Sequence, residues 1–197
     1  MENNYCVAVI GAGPAGIFGA RELAKAGVNW LGLGIENPNN DLRKEIHKEG
    51  FQEVRILDLF KVIREAGINI AGNYIFGLPF DTQESMQATL DFALENPTEM
   101  TNMYSAMAYP GSPLHNQARL FNIDLPKTYS GYSQHSYDTL NLASENLTAA
   151  QILSFRDYAW DIYHSNENYL NMVKTKFGDK AVNELNETRK IKLKRKL

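Results

Sequence analysis

Three glycines, Gly11, Gly13 and Gly16, follow an apolar stretch in the spacing G-x-G-x-x-G and stand where a helical pattern begins. In such a loop the first glycine permits the tight turn and the second lets a pyrophosphate approach the backbone. The third lets helix and strand pack closely. The helix N-terminus then offers unpaired N–H groups and partial positive charge to phosphate. Glu36 comes 20 residues after Gly16, where an acid closing a second strand would meet a ribose hydroxyl. These residues predict a site for FAD or NAD(P). The plain alternative is a compact strand–helix turn whose glycines serve packing, with Glu36 as a polar residue at a strand end.

The other residue types capable of chemistry are scattered. Cys6 is the only cysteine, so this chain makes no internal disulfide and no cysteine-ligated metal cluster of its own. Cys6 is expected to act as a small hydrophobe within a strand. His47, His115, His135 and His164 show no H-x-x-x-H spacing, and no metal site is expected. His135, among tyrosines and serines, reads as a hydrogen-bonded structural histidine. Arg156 and Asp157, beside Phe155, read as an ion pair or a helix-to-sheet contact. The last nine residues hold six Lys or Arg, which reads as a solvated helix end.

The elements that must position these residues follow one another as strand–helix units. Apolar runs at 5–10, 30–35, 68–76 and 102–108 predict four buried strands. Helical patterns occupy 14–26, 41–48 and 54–66. A further helix runs to Asn96, with Asp81 and Glu84 read as its capping box. Ser112 and Pro113 suit the N-cap and first turn of another. Residues 123–146 read as a long packed loop. Thr148 and Gln151 open a helix through Tyr163, and shorter helices follow from Tyr169. The fold class is α/β: a parallel sheet of about four strand–helix units, the first Rossmann-like, with a C-terminal helical extension.

Composition narrows the setting. With 197 residues, 44% of them hydrophobic, and a net charge of −3, the chain suits a folded domain with no pull toward nucleic acid or anionic membrane. No apolar run approaches the roughly 20 residues that span a bilayer. Residues 5–17 lack a basic n-region, so the cytoplasm is the expected compartment.

Two families are resembled. Residues 5–28 (Cys-Val-Ala-Val-Ile-Gly-Ala-Gly-Pro-Ala-Gly within them) resemble the FAD/NAD(P)-binding start of flavoprotein disulfide reductases and glutamate-synthase-type oxidoreductases. From Trp30 onward the chain resembles radical S-adenosylmethionine (SAM) enzymes. The likeness rests on Trp30-Leu-Gly-Leu-Gly-Ile-Glu36, Gly72-Asn-Tyr-Ile-Phe-Gly-Leu-Pro79 and Asp81-Thr-Gln-Glu-Ser. Tyr104-Ser-Ala-Met-Ala-Tyr-Pro-Gly-Ser112, Tyr129-Ser-Gly-Tyr-Ser-Gln-His-Ser136 and Phe155-Arg-Asp157 resemble the subgroup that often carries a cobalamin-binding domain.

That second resemblance implies a partial (β/α) barrel and S-adenosylmethionine as cofactor. It also implies a 4Fe-4S cluster on three cysteines spaced C-x-x-x-C-x-x-C, which together generate a 5′-deoxyadenosyl radical. Carried over, it implies that Glu36 lies near the polar groups of SAM and that Ile75 and Gly77 lie beside the adenine. Tyr109 and the following Pro110-Gly111 turn would close the adenine side. The plain alternative for Ile75 and Gly77 is strand core and turn.

The cluster cysteines are not in this sequence. The implied protein is therefore a radical SAM fragment without independent catalysis, either completed by a partner chain that supplies the missing barrel half or a remnant with no activity. Its expected parts are a Rossmann-like segment at 1–29, a partial barrel at 30–122 and a loop-and-helix extension at 123–197. A FAD/NAD(P)-binding oxidoreductase and a non-enzymatic interaction module are the alternatives. Sheet order separates the first two readings. A barrel segment keeps its strands in sequence order, which is expected here, whereas a dinucleotide fold places later strands beyond the first.

Overall fold

Short runs of strand-forming residues, with Gly27, Gly67 and Gly77 at the ends of the second and third, set the strands, and the longer amphipathic stretches between them set the helices. The computed structural model describes residues 6–9, 14–38 and 56–196. The expected helix at 41–48, together with Gly11 and Gly13, lies outside them. In chain order the elements are β1 (Cys6–Val9), α1 (Pro14–Lys25), β2 (Val28–Glu36), α2 (Ile56–Glu65), β3 (Asn69–Phe76), α3 (Gln83–Glu95) and β4 (Met100–Ser105). Next come α4 (Pro113–Leu120), α5 (Ala149–Ser165), α6 (Glu167–Phe177) and α7 (Asp179–Lys190).

All pairings are parallel and the strand order is β1-β2-β3-β4. This is the sequence order expected of a barrel segment. A dinucleotide fold would need β3 and β4 beyond β1, so the order counts against the FAD/NAD(P) reading.

The two faces of the sheet differ. Leu31, Leu33 and Ile35 of β2, Ile70, Tyr74 and Phe76 of β3, and Met103 of β4 are buried in one core. That core also holds Ala20, Leu59, Phe60, Ile63, Met86, Leu90 and Ile152 from the helices. The alternate residues form what is here called the far face: Trp30, Gly32 and Gly34, then Ala71, Asn73 and Ile75, then Asn102 and Tyr104. Their register puts Gly34 beside Asn73, Asn73 beside Asn102, and Ile75 beside Tyr104. None of them belongs to the core. Period-two alternation with one apolar face is what a sheet covered by helices on one side requires.

Side chains replace a neighbouring strand at the outer edge of β4. The Gln134 carboxamide accepts from the Ser105 backbone N–H at 3.1 Å and donates to the Ser105 carbonyl at 3.0 Å. Arg156 Nε donates to the Met103 carbonyl at 2.7 Å. Backbone groups of an edge strand that would otherwise template further pairing are thereby satisfied. The expected fourth strand, 102–108, accordingly ends at Ser105. Ala106 still donates to the Phe76 carbonyl but accepts from Leu142 of the long loop.

Two caps differ in their outcome. The box at Thr148 and Gln151 forms as expected. At α3 the N-cap is Thr82 rather than Asp81, and its reciprocal partner is Ser85 rather than Glu84. Asp81 is withdrawn from the cap because its carboxylate is completely buried and accepts from the backbone N–H groups of Gly77 and Leu78, each at 2.9 Å.

Candidate functional site

In a parallel sheet with helical crossovers the C-terminal strand ends collect the loops, and function collects there too. At that end of β2 the ladder contains a bulge: Gly34 pairs with Asn73, but Glu36, not Ile35, pairs with Tyr74. Glu36 then adopts φ 61°, a left-handed conformation uncommon outside glycine. Bulges re-aim side chains next to functional sites. Asn73 Nδ2 donates to the Leu33 carbonyl just before the bulge, at 3.1 Å, and stitches it to β3.

Glu36 is 9% exposed. Its charge reaches Tyr104, whose phenol pKa is raised by burial first, then by Tyr109 and by Glu36, against the opposing pull of Arg156. The bulge thus brings the Glu36 charge within electrostatic reach of a far-face side chain two strands away.

At the end of β3, Gly77 has φ 79°. A Cβ there would lie 2.5 Å from the Ile152 side chain, so glycine is required both for conformation and for the approach of α5. Asp81 accepts from the Ser85 hydroxyl at 2.6 Å in addition to the two backbone N–H groups. Burial nevertheless pushes its pKa up. Ile75 is half-buried on the far face and is not strand core. Beyond β4, Tyr109 is 49% exposed and its ring centroid lies 6.2 Å from that of Tyr132 in the long loop.

Of the expected site residues, Glu36, Ile75, Gly77 and Tyr109 thus lie at or beside the C-terminal ends of successive strands, while Gly16 lies in the first turn of α1. The sequence reading missed Asn73, Asn102 and Tyr104. Asn102 Nδ2 donates to Asn73 Oδ1 at 2.9 Å, so two carboxamides and a phenol line the far face beside Ile75. Strict alternation in Asn69–Phe76 was the available signal.

The other chemistry-bearing residues have structural roles. Arg156 is 5% exposed and makes the expected helix-to-sheet contact and the ion pair to Asp157 at 2.8 Å. The basic tail corrects its expectation: Arg195 is bound by Asp157 at 2.7 and 2.8 Å and donates to the Gln134 and Ser136 carbonyls. His135 corrects its own as well, since it is exposed and only its backbone N–H is bonded, to Ser133 Oγ.

The family model that matches the chain is the Radical SAM superfamily, over residues 18–93. Over those residues the chain is similar to radical SAM superfamily domains. Bacteriochlorophyllide d C-12(1)-methyltransferase of Chlorobaculum tepidum is 28% identical over 131 residues, covering 64% of this chain and 28% of the relative. The heme chaperone HemW of Bacillus subtilis is 26% identical over 162 residues, covering 75% and 40%. This chain therefore spans well under half of those relatives. Among solved structures, coproporphyrinogen III oxidase (HemN) of Escherichia coli, a radical SAM enzyme, aligns with a TM-score of 0.49 and 18% identity, over 66% of this chain and 37% of that one.

The radical SAM family implies S-adenosylmethionine and an iron–sulfur cluster. The far face fits the first, since Asn102 and Tyr104 offer oxygen acceptors to amino and hydroxyl groups beside the apolar Ile75, with the Glu36 charge within reach of Tyr104. The second does not fit this chain. A cluster needs several thiolates, the sequence has one cysteine, and no group of three His, Cys, Asp or Glu among the described residues could hold a metal ion. No helix among the described residues is long and apolar enough to cross a membrane.

Proposed function

We propose that this chain is the SAM-contacting part of a radical SAM protein, active only with a partner chain that brings the cluster thiolates and the rest of the barrel. The observation that carries the reading is the run of Glu36, Ile75, Gly77 and Tyr109 at or beside successive C-terminal strand ends, the first three of them within the residues that match the radical SAM model. The cofactor, when bound with its cluster, supplies a 5′-deoxyadenosyl radical. This chain's own contribution is binding. Glu36 accepts hydrogen bonds from the amino group, Ile75 packs against the adenine, and the Gly77 turn keeps the rim open to it. Tyr109 and the turn after it shield the adenine edge. The relatives' printed activities, methyl transfer and heme handling, share a large, mainly apolar ring substrate, and we infer a substrate of that class for the assembled protein.

Calorimetric titration with S-adenosylhomocysteine tests the binding role. Saturable binding, weakened about tenfold by Glu36→Gln through loss of one charge-assisted hydrogen bond, supports it. No binding at millimolar concentration, or equal binding by the variant, overturns it. Anaerobic reconstitution with iron and sulfide tests the need for a partner: a stoichiometric four-iron cluster on this chain alone would sink that part.

A further inference from the structure

Two carboxamides on the far face are linked so that the setting of one fixes the other. Asn73 Nδ2 lies 3.1 Å from the Leu33 carbonyl oxygen and 3.4 Å from that of Ala71. Gly34, its neighbour in register, has no side chain to obstruct that reach across β2. Only a donor can meet two carbonyls, so Asn73 turns its Oδ1 to Asn102, and Asn102 meets it with Nδ2 at 2.9 Å. If the Asn102 carboxamide turned over, two acceptor oxygens would face each other and the bond would be lost. Asn102 Oδ1 is therefore fixed as an acceptor. It has no partner among the described residues and is not closed off from solvent.

What surrounds this oxygen decides which chemistry suits it. Tyr104 is two residues on along the same face and pairs with Ile75, which makes Asn102 the diagonal neighbour of Ile75. The Tyr104 hydroxyl also has no partner among the described residues. No far-face residue is charged. Of the charges that act on Tyr104, Arg156 is already engaged by Asp157 and the Met103 carbonyl, and Glu36 is negative. A carboxylate edge would thus meet acceptor oxygens and no uncommitted cation among these groups, whereas an N–H edge meets the acceptor it needs.

We propose that Asn102 is a specificity-determining residue of the far face: its Oδ1, set by Asn73, accepts a hydrogen bond from an N–H group on the edge of a ring lying against Ile75. The inference rests on the cofactor-binding reading above and adds to it a demand for a donor at a stated atom. Two rings can carry that donor. One is the adenine, through its exocyclic amino group, and the other is a substrate ring beside it, through a lactam-type N–H. Asn73 is the positioning residue, since it touches neither ring and acts by denying Asn102 the opposite orientation.

Two pairs of probes, followed by calorimetry, separate the sources. S-adenosylhomocysteine is compared with S-inosylhomocysteine, in which a carbonyl replaces the exocyclic amino group. Phthalimidine, a lactam, is compared with its N-methyl derivative on the chain saturated with S-adenosylhomocysteine. In at least one pair the donor-bearing member should bind about tenfold tighter, as one hydrogen bond warrants. Asn102→Leu should bring that ratio to about one, and Asn73→Leu should shrink it with Asn102 still in place. Both positions are half-buried and outside the core, and a ratio of two ligands on one variant is indifferent to any loss of folded chain. A ratio in the first pair assigns the donor to adenine, and one in the second pair assigns it to the substrate. Ratios of about one in both pairs, or a ratio that survives Asn102→Leu, overturn the proposal. A ratio kept in full by Asn73→Leu removes the positioning role. Absence of S-adenosylhomocysteine binding overturns the cofactor reading instead, and the phthalimidine pair titrated alone then decides on Asn102.

Discussion

The two ends of the sheet treat their polar groups in opposite ways. At the N-terminal end, the Glu99 side chain is fully buried and bound by Arg64, by Lys176 and by the backbone N–H of Ile70. Tyr163 brackets Thr98, donating to its carbonyl at 3.1 Å and accepting from its N–H at 3.0 Å. At the C-terminal end, Glu36 and Gly77 hold left-handed backbones and Tyr109 stands half in solvent. One end spends its polar groups on joining α2, β3, β4, α5 and α6. The other shapes its rim, with a bulge at Glu36 and a turn at Gly77 held by Asp81. A left-handed residue other than glycine, such as Glu36, persists where its surroundings over-determine it.

The largest expected break comes at the C-terminal end. Gly77→Val places a β-branched residue at positive φ and against Ile152, costing about 1–2 kcal/mol for conformation and about 1–3 for overpacking. Urea unfolding should show a loss of about 4 kcal/mol. Combining it with Ile152→Ala should cost less than the sum of the single losses. Strict additivity would show that crowding does not set this turn.

At the N-terminal end, acid is the expected lever. His164 is 5% exposed and packed among Trp160, Tyr163 and Tyr169. Burial lowers its pKa from 6.5 to about 4. The unfolded chain therefore takes a proton as pH falls through 6.5, which the folded chain refuses until about 4. Its stabilising contribution is complete above 6.5 and is lost between those values. The change is on the order of 3 kcal/mol at about 1.4 kcal/mol per pKa unit. His164→Gln should flatten this part of the stability–pH curve, and an unchanged slope would assign the acid response to other groups.

Glu99→Gln is the next step down. The Glu99 carboxylate is pushed up by burial but held below its ordinary pKa by Lys176, Arg64 and the Ile70 N–H. Breaking a buried pair typically costs about 3–5 kcal/mol. Arg64 and Lys176 are 35% and 37% exposed, and solvent screening reduces the expected loss to about 2 kcal/mol. A variant as stable as the parent would erase the contrast between the two ends.

Much of the frame was legible because it rests on local patterns. Apolar runs and glycine stops fixed four strands in order, and Ser112, Thr148 and Gln151 cap as their types predict. Resemblance to radical SAM enzymes pointed to Glu36, Ile75, Gly77 and Tyr109, which the fold brings to or beside strand ends. What could not be read were long-range contacts. Nothing near Gln134 in sequence says that its carboxamide will stand in for a strand beside Ser105. Nothing near Arg195 says that it will return to Asp157, 38 residues earlier. The far-face carboxamides of Asn73 and Asn102 were visible only as alternation, whose meaning depends on which face the helices cover.

The smallest effect concerns a case where the sequence pointed to the right turn and the wrong residues. Asp81 and Glu84 have the spacing of a capping box, but so do Thr82 and Ser85. The tie is broken by a tertiary demand on Asp81: its carboxylate is needed by Gly77 and Leu78, where it fixes the left-handed turn at the rim. The Thr82 hydroxyl is then free to accept from the Ser85 N–H at 3.2 Å, and the Ser85 hydroxyl accepts from the Thr82 N–H at 2.9 Å. Thr82→Ala should therefore cost about 1 kcal/mol, as lost N-caps do, and act on α3 alone. Glu84→Ala should cost less. Asp81→Ala should instead loosen the Gly77 turn, read as faster amide exchange at Gly77 and Leu78 than in the Thr82 variant. If Thr82→Ala exposes those two amides just as much, cap and rim are one unit, and the C-terminal end is less separable from its helices than the comparison with Glu99 suggests.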